Sequence, residues 1–599
     1  MSNNSNNLVV NYDESQQLGS WYPSLLGLAE YFRTLNPPNV KFCVQCLQAV
    51  FNFSPPAFIQ ARTYLQIGTV LSKGTKNIQL SLSHLDRAWT ISQTCHSADD
   101  IKFEAACLSA QLLCQQGQLM EAKNFLRRAT EQSLHAPFWH SRMLFQLAQL
   151  EMEENDHKAS TLTLSAGFEY ATLRESQYMR LLFLLSKTMV QLIDRKLSEV
   201  QQSLSQCRVI IEQWQLAGNQ IHVKNLIEVF FLVIQVSQYL LVGQVKSVKP
   251  MLKQLQHTIQ NITTTYNDEE IMKTLNPIEL FHWLPKEQLC VLVYLVTVMH
   301  SMQAGYTDKA QKYTEKALLQ IDKLKSSANP TVLSLQAMLL EHIVMCGLIT
   351  GHKSVALQQI LQLCMVCHSN STVSKRHSPY IHVLLGLYAM SINSMEQAEA
   401  QFKVALVSPD PELHMFVSLN MGLVYLRMNR HIELNALLES IEAGRINTVS
   451  QCMKASTFYI QGLQAFFQSK HQEAKRCLRE ALRLANTEDL NRLTACLLVL
   501  FGHVLLSIGN NQEALNMISP ALQLANKIPD LQVQLWATAV LKDLYRQLGS
   551  PQLEADSFRL HDSYSQTLLE DHFRATQSAE HQLVHWTEGP CPFFAPQNS

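Results

Sequence analysis

One interval recurs along this chain. Gly462 and Gly502 lie 40 residues apart, and so do Ala474 and Ala514. Each glycine falls in one apolar helical pattern and each alanine in the pattern that follows. Small residues at fixed places on consecutive helices set a close helix–helix distance. A repeat of this length makes one helical hairpin, and a lone hairpin cannot bury all of its apolar faces. It must stack on neighbours of its own kind. The constraint is therefore a row of hairpins. Glycine and proline, 19 each among 599 residues, are scarce enough to mark turns between many helices.

The fullest single hairpin is FHWLPKEQLCVLVYLVTVMHSMQAGYTDKAQKYTEKAL, from Phe281 to Leu318. Its first helix is almost continuously apolar from Leu289 to Met299, and a turn falls at Gly305-Tyr306. Its second helix turns Ala310, Tyr313, Ala317 and Leu318 back toward the first. Comparable sets are Ala110, Gly117, Ala122, Phe125 and Ala129; Leu385, Gly386, Ala389, Ala398, Phe402 and Ala405; and Gly502, Gly509, Ala514, Ile518 and Ala521. This is the pattern of tetratricopeptide (TPR) repeats, whose period is about 34 residues, here with longer loops. The expected fold is all-α, a TPR-like helical-repeat superhelix, or α-solenoid. Residues 1–18 read as a disordered tail and 19–262 as N-terminal repeats, partly degenerate from Arg180 to Val242. Residues 263–280 read as an acidic loop and 281–568 as the C-terminal TPR array. A C-terminal segment, 569–599, ends in GPCPFFAPQNS, which reads as disordered.

The composition excludes several function classes. A net charge of −1 gives no global field toward nucleic acid or membrane. The 14 cysteines are scattered through helical patterns, the usage of a reducing compartment. The N-terminus shows no secretory signal. Asn225 to Val242 is the most membrane-like stretch, but Glu228, Gln235 and Gln238 interrupt it, and it reads as a buried solenoid helix. Cys364-Met365-Val366-Cys367-His368 matches the haem-attachment pattern, yet a helix end with two core-facing cysteines fits a helical array better. Cys43 and Cys46 lack the second pair that structural zinc requires. His282, beside Trp283 and Pro285, reads as a packing feature at a helix entry. The sequence contains no HExxH, nucleophile elbow or phosphate loop. No catalytic residue, metal site or cofactor is therefore expected.

The inner side of the superhelix is the expected binding surface. By register, the first helices of three hairpins place Leu295, Met299 and Met302, then Tyr380, Val383, Leu387 and Met390, then Tyr459, Leu463, Phe466 and Phe467 along the channel. Large apolar groups in an open groove favour an occupant, since covering each contributes roughly 1.5–3 kcal/mol. The alternative is a superhelix wound tightly enough to fill its own channel. A second candidate is an outer basic face: Lys309, Lys312 and Lys316 share one side of a helix with Tyr313. It suits an acidic or phosphorylated segment, against the plainer reading of a solvated face. Lys475, Arg479 and Arg483, with Lys470 and Arg476 near, form a further stripe that suits a DNA phosphate backbone, against local pairing with the interleaved Glu473 and Glu480.

Several longer blocks carry a resemblance. They include Trp21-Tyr22 with LLG at 25–27, CVQCLQAVF at 43–51, WHSRMLFQLAQLE at 139–151, GQVKSVKPMLKQLQ at 243–256, FHWLPKEQLCVLVYLVTVMHSMQAGY from Phe281, EDLNRLTACLLVL at 488–500 and KIPDLQVQLW at 527–536. Together they resemble the smaller, TPR-containing subunit of the cohesin loading complex in its animal form. The resemblance runs from Trp21 to about Trp586; the Asn/Ser-rich first 18 residues stand outside it. It implies a non-catalytic subunit that embraces the extended N-terminal part of a Nipped-B-like partner. It further implies a heterodimer, a nuclear, chromatin-associated location, and support for cohesin loading, sister-chromatid cohesion and chromosome segregation. The competing reading is a generic TPR peptide-binding adaptor, such as a chaperone-linked or ubiquitin-ligase scaffold.

Overall fold

A computed structural model of the chain describes residues 21–95, 97–214, 221–265, 281, 283–324, 330–443 and 450–594, with the side chains of 221, 222, 265, 442 and 443 excepted. The N-terminal tail, most of the acidic loop and His282 lie outside the described residues. Among the described residues the regular structure is helical, as the repeat pattern requires.

The chain divides into two compact units, at Ile227/Glu228 and again between residues 266 and 283. In the first unit the helices are α1 (Trp21–Thr34), α2 (Val40–Ala49), α3 (Ala57–Gly74), α4 (Ile78–Ser92), α5 (Asp99–Gln115), α6 (Leu119–Gln132), α7 (Pro137–Glu153), α8 (His157–Leu173), α9 (Gln177–Ile193) and α10 (Leu197–Gln213). Helix α11 (Ile221–Val242) contains the division. The second unit continues with α12 (Val245–Thr265), α13 (Lys286–Ala304), α14 (Thr307–Leu324), α15 (Pro330–Ile349), α16 (Lys353–Ser369), α17 (Ser371–Ser391), α18 (Met395–Ala405), α19 (Pro411–Arg427) and α20 (His431–Ala443). It ends with α21 (Gln451–Phe467), α22 (His471–Thr487), α23 (Asn491–Ser507), α24 (Asn511–Lys527), α25 (Leu531–Gln547) and α26 (Pro551–Thr576).

From α5 onward the hairpins share one stop signal. A residue in the left-handed region ends the helix, and the next amide reaches back to close it. Gly305 (φ +77°) is one such residue: its amide bonds the Met302 carbonyl at 3.2 Å, and the Tyr306 amide bonds the Ser301 carbonyl at 2.7 Å. The same reach-back joins Ser394 to Ala389, Lys470 to Ala465 and Asn510 to Leu505. It also joins Ser176 to Ala171 and Lys196 to Gln191, where the sequence shows only faint repeats. Starts are fixed by side chains that accept an orphan amide, such as Asp156 from Ala159 and Ser450 from Met453.

Within a hairpin, a small residue on one helix receives a large one about 16 positions later. A Cβ at Gly386 would overlap the Phe402 ring, and one at Gly502 would overlap Ile518. Ala398, Ala405, Ala474, Ala481, Ala514 and Ala521 are all buried, which explains why these positions are alanine. α11 and α15 contain stretches long and apolar enough to cross a membrane. Both carry core side chains here, with Val229, Phe230, Leu339 and Leu340 fully buried.

The second unit coils until hairpins one superhelical turn apart touch. Lys249 reaches Asp489 at 2.8 Å. Asn491 donates to the Ala304 carbonyl at 2.8 Å, and the Thr307 hydroxyl donates to the Ile528 carbonyl at 2.8 Å. Asp571, almost wholly buried, accepts from the Lys353 amide and the Ser354 hydroxyl at 2.5 and 2.6 Å. Gln401 donates to the carbonyls of Val584 and Trp586 at 2.8 and 2.7 Å. These partners lie 183 to 240 residues apart, about five hairpins. The wall of this unit is thus sealed by bonds between successive turns.

The C-terminal segment is more ordered than its composition suggests. α26 runs to Thr576, and Leu583 and Val584 enter the core beside Ala575. Trp586 lies 5.0 Å from His382, and Phe594 stacks on His368 at 4.9 Å. Of the stretch expected to be disordered, Gly589 to Phe594 is described and packs in part on the core, while 595–599 lies outside the described residues. Four apolar side chains, not helical periodicity, hold this stretch.

Candidate partner-binding channel and basic face

The expected channel residues do not all point the same way. Leu295 (1% exposed) and Val383 (4%) are closed into the core. α13 and α17 are covered on most sides, so their registers leave little open face. Phe467 is 63% exposed and stands apart from its neighbour Phe466. Met299 and Met302 are half-buried against the α13–α15 core, and Leu387 and Met390 against that of α15–α19. Tyr380 is also half-buried; its hydroxyl donates to Asp410 at 3.0 Å, and burial with that carboxylate pushes its pKa up. Tyr459, Leu463 and Phe466 line the α21–α23 core while keeping some accessible surface.

Around these three, the structure adds residues the sequence reading missed. Phe466 lies 5.0 Å from His503 on α23, and His503 lies 6.2 Å from Trp536 on α25, whose indole N–H points at the imidazole. The three rings make a ladder across consecutive first helices. Burial lowers the His503 pKa, keeping the imidazole neutral within it. Burial also pushes the Cys452 and Cys496 thiols up to about 11 and raises the Tyr459 hydroxyl. Yet all three retain accessible surface. Arg492, one helical turn before Cys496, bonds Asp530 through Nε at 2.7 Å. The size of Trp536, in an array whose inner faces are mostly aliphatic, was the available signal for this ladder.

The basic face is broader than one helix. Lys312 and Lys316 are exposed, and Lys309 and Tyr313 are half-buried. The ammonium groups of Lys309 and Lys316 lie 6.0 and 5.3 Å from the Tyr313 ring, within cation–π range. Burial, then Lys253 and Lys249 of α12, lower the Lys309 pKa. Lys246, Lys249 and Lys253 repeat the i, i+3, i+7 spacing of Lys309, Lys312 and Lys316. The two stripes converge on adjacent second helices. Lys249 also sits 5.7 Å from the Tyr306 ring.

Other chemistry is absorbed by structure. Cys364 and Cys367 are buried in the core, as a helix end with core-facing thiols requires. Among the described residues no three potential ligands group around a metal position. Ser334, His377 and Glu341 form a relay, with bonds of 3.0 and 2.7 Å through the imidazole. His377 is 2% exposed, so the relay joins α15 to α17 from within. On α22, Arg483 is paired with Glu480 at 2.6 Å and Arg476 with Glu473 at 3.8 Å.

The fold and these surfaces can be set beside known proteins. The model of the cohesin loading factor family matches residues 21–552, nearly the whole described chain. The chain belongs to the cohesin loading factor family. It is 49% identical over 578 residues to the MAU2 chromatid cohesion factor homolog of Aedes aegypti, covering 95% of this chain and 93% of that one. It is 47% identical over 582 residues to the Drosophila melanogaster homolog, covering 95% and 91%. Among solved structures, it resembles Scc4 in complex with Scc2n and Ctf19n, with a TM-score of 0.60 and 11% identity over 91% of this chain and 99% of that one. A second Scc4 structure, in complex with Scc2n, gives a TM-score of 0.59, also at 11% identity. At that identity the likeness concerns the fold: this cohesin loading factor shares the helical-repeat superhelix of Scc4.

Proposed function

We propose that this cohesin loading factor is the non-catalytic scaffold subunit of a nuclear cohesin loading complex. Its channel residues hold the extended N-terminal segment of a Nipped-B-like partner. The lysine face around Tyr313 receives an acidic or phosphorylated segment at chromatin. In this way the chain stabilises its partner and supports cohesin loading, sister-chromatid cohesion and chromosome segregation. The channel comprises Met299, Met302, Tyr380, Leu387, Met390, Tyr459, Leu463 and Phe466, extended by His503 and Trp536. Leu295 and Val383 act beneath it as core.

One observation carries this reading. The Phe466–His503–Trp536 ladder keeps accessible aromatic surface across three successive first helices, in a unit whose turns are joined by hydrogen bonds. Aromatic groups on a preformed inner face bind extended chain with little reorganisation. That a Scc4 structure contains Scc2n fits the same arrangement. The test is co-expression of the full chain with the N-terminal segment of a Nipped-B-like protein. The expected result is a stable 1:1 complex that Phe466→Asp abolishes without unfolding the chain. A chain indifferent to the segment contradicts the scaffold reading.

A further inference from the structure

The proposed channel of the second unit carries charge as well as apolar surface: Tyr380 is bonded to the Asp410 carboxylate, and around Tyr459 two arginines face one aspartate. Arg427 closes α19 and donates to the carbonyl of Met390 at 3.4 Å, which fixes it beside a channel residue. Arg492 opens α23. Tyr459, on the helix between them, feels both guanidinium groups, which oppose the upward push of burial on its hydroxyl. Met390, Arg427, Tyr459 and Arg492 thus follow one another along four successive first helices, spaced 32 to 37 residues apart.

Their counter-charge is incomplete. Asp530 is 1% exposed, and both of its oxygens are engaged: Oδ2 by Arg492 at 2.7 Å, and Oδ1 by the Val533 amide at 3.1 Å, where it caps α25. A guanidinium presents five N–H donors, and the bond to Asp530 uses one. Arg492 keeps 41% of its side chain accessible. Arg427 is exposed, and it acts on the same tyrosine as Arg492. One carboxylate, bonded to Arg492 alone, set against two guanidinium groups around Tyr459 leaves a positive subsite. A planar guanidinium matches a carboxylate through two parallel bonds, and a partly desolvated setting strengthens them. Tyr459 adds a hydroxyl donor, and Leu463 and Phe466 follow on the same helix.

We propose that Arg427, Tyr459 and Arg492 form a carboxylate-reading subsite that takes one aspartate or glutamate of the partner's extended segment, fixing its register in the channel. The proposal rests on the channel reading above and adds the chemistry of one partner residue. The segment therefore carries an acidic side chain followed or preceded by a large apolar one, the latter seated on the Phe466–His503–Trp536 ladder.

The test uses the purified full chain and the N-terminal segment of a Nipped-B-like protein, with affinity read by titration and folding by thermal melting. Arg427→Gln and Tyr459→Phe are chosen because neither touches Asp530. Each is expected to melt like the parent. Arg427→Gln is expected to weaken binding by about 10- to 100-fold, as the loss of a charged hydrogen-bond pair does. Neutralising the segment's acidic residues one at a time should reveal one position with the same loss. At that position the segment change should add nothing further in the Arg427→Gln background. If both variants bind the segment like the parent while Phe466→Asp abolishes binding, the subsite is overturned and the channel reading stands. If Phe466→Asp also binds like the parent, the channel reading itself falls. If losses at Arg427 and in the segment are simply additive at every position, the two do not meet and the subsite is overturned.

Discussion

At the scale of residues, close approach and burial decide what can be changed. Gly386 and Gly502 have no room for a methyl group, since Phe402 and Ile518 fill the space. Gly386→Ala and Gly502→Ala should each destabilise the protein by about 1–3 kcal/mol, the usual cost of overpacking, seen as a lower melting temperature. His300 on α13 is 1% exposed, and burial, with Lys309 and Lys249 nearby, lowers its pKa from 6.5 to about 4. The unfolded chain therefore takes up a proton at higher pH than the folded one. Stability from this group is complete above about pH 6.5 and falls as the pH drops toward 4. The full loss is on the order of 3 kcal/mol. Melting temperatures across that range should fall less steeply in His300→Leu than in the parent. Equal slopes would show that other groups carry the acid sensitivity.

At the scale of elements, the repeat was legible because its physics is local. Gly305, Gly351 and Gly509 mark the turns within hairpins by their left-handed backbone, and the alanine pairs mark helix crossings. α9 and α10 form a regular hairpin although their turns use Glu175 and Arg195, residues that give no left-handed signal in sequence. Facing direction was less legible. A step of one residue turns a side chain through about 100°, so Phe466 and Phe467 part company although both are large and apolar. Leu295 and Val383 were hidden by neighbours that periodicity alone does not rank. The ladder partners His503 and Trp536 lie one and two hairpins beyond Phe466, and only stacking brings them together. The lysine face shows the same effect, with its second stripe on α12, one hairpin earlier in the chain. Lys312→Glu with Lys316→Glu should leave melting nearly unchanged, as both side chains are exposed. The pair should abolish retention of an acidic or phosphorylated peptide on immobilised protein; undiminished retention would remove this face from the functional account.

At the scale of the whole chain, membership of the cohesin loading factor family and the helical-repeat superhelix point the same way. In the second unit, bonds between residues about five hairpins apart turn a row of hairpins into a sealed wall. The C-terminal segment belongs to that wall. Truncation after Gln577 would uncover the sites of Leu583 and Val584, each worth roughly 1.5–3 kcal/mol when buried, a combined cost of about 3–6 kcal/mol. The truncated chain should melt earlier and be cleaved faster by protease near α16–α18; parent-like melting would show the segment to be an accessory. The central claim is that a partner segment runs inside this unit, and two adjacent residues test it most directly. A photo-crosslinking phenylalanine analogue is placed at Phe466 in one chain and at Phe467 in another, each bound to a Nipped-B-like N-terminal segment. The account predicts a crosslink to the segment from position 466 and none from position 467. Crosslinking from position 467 alone would place the partner on the outside and contradict the account.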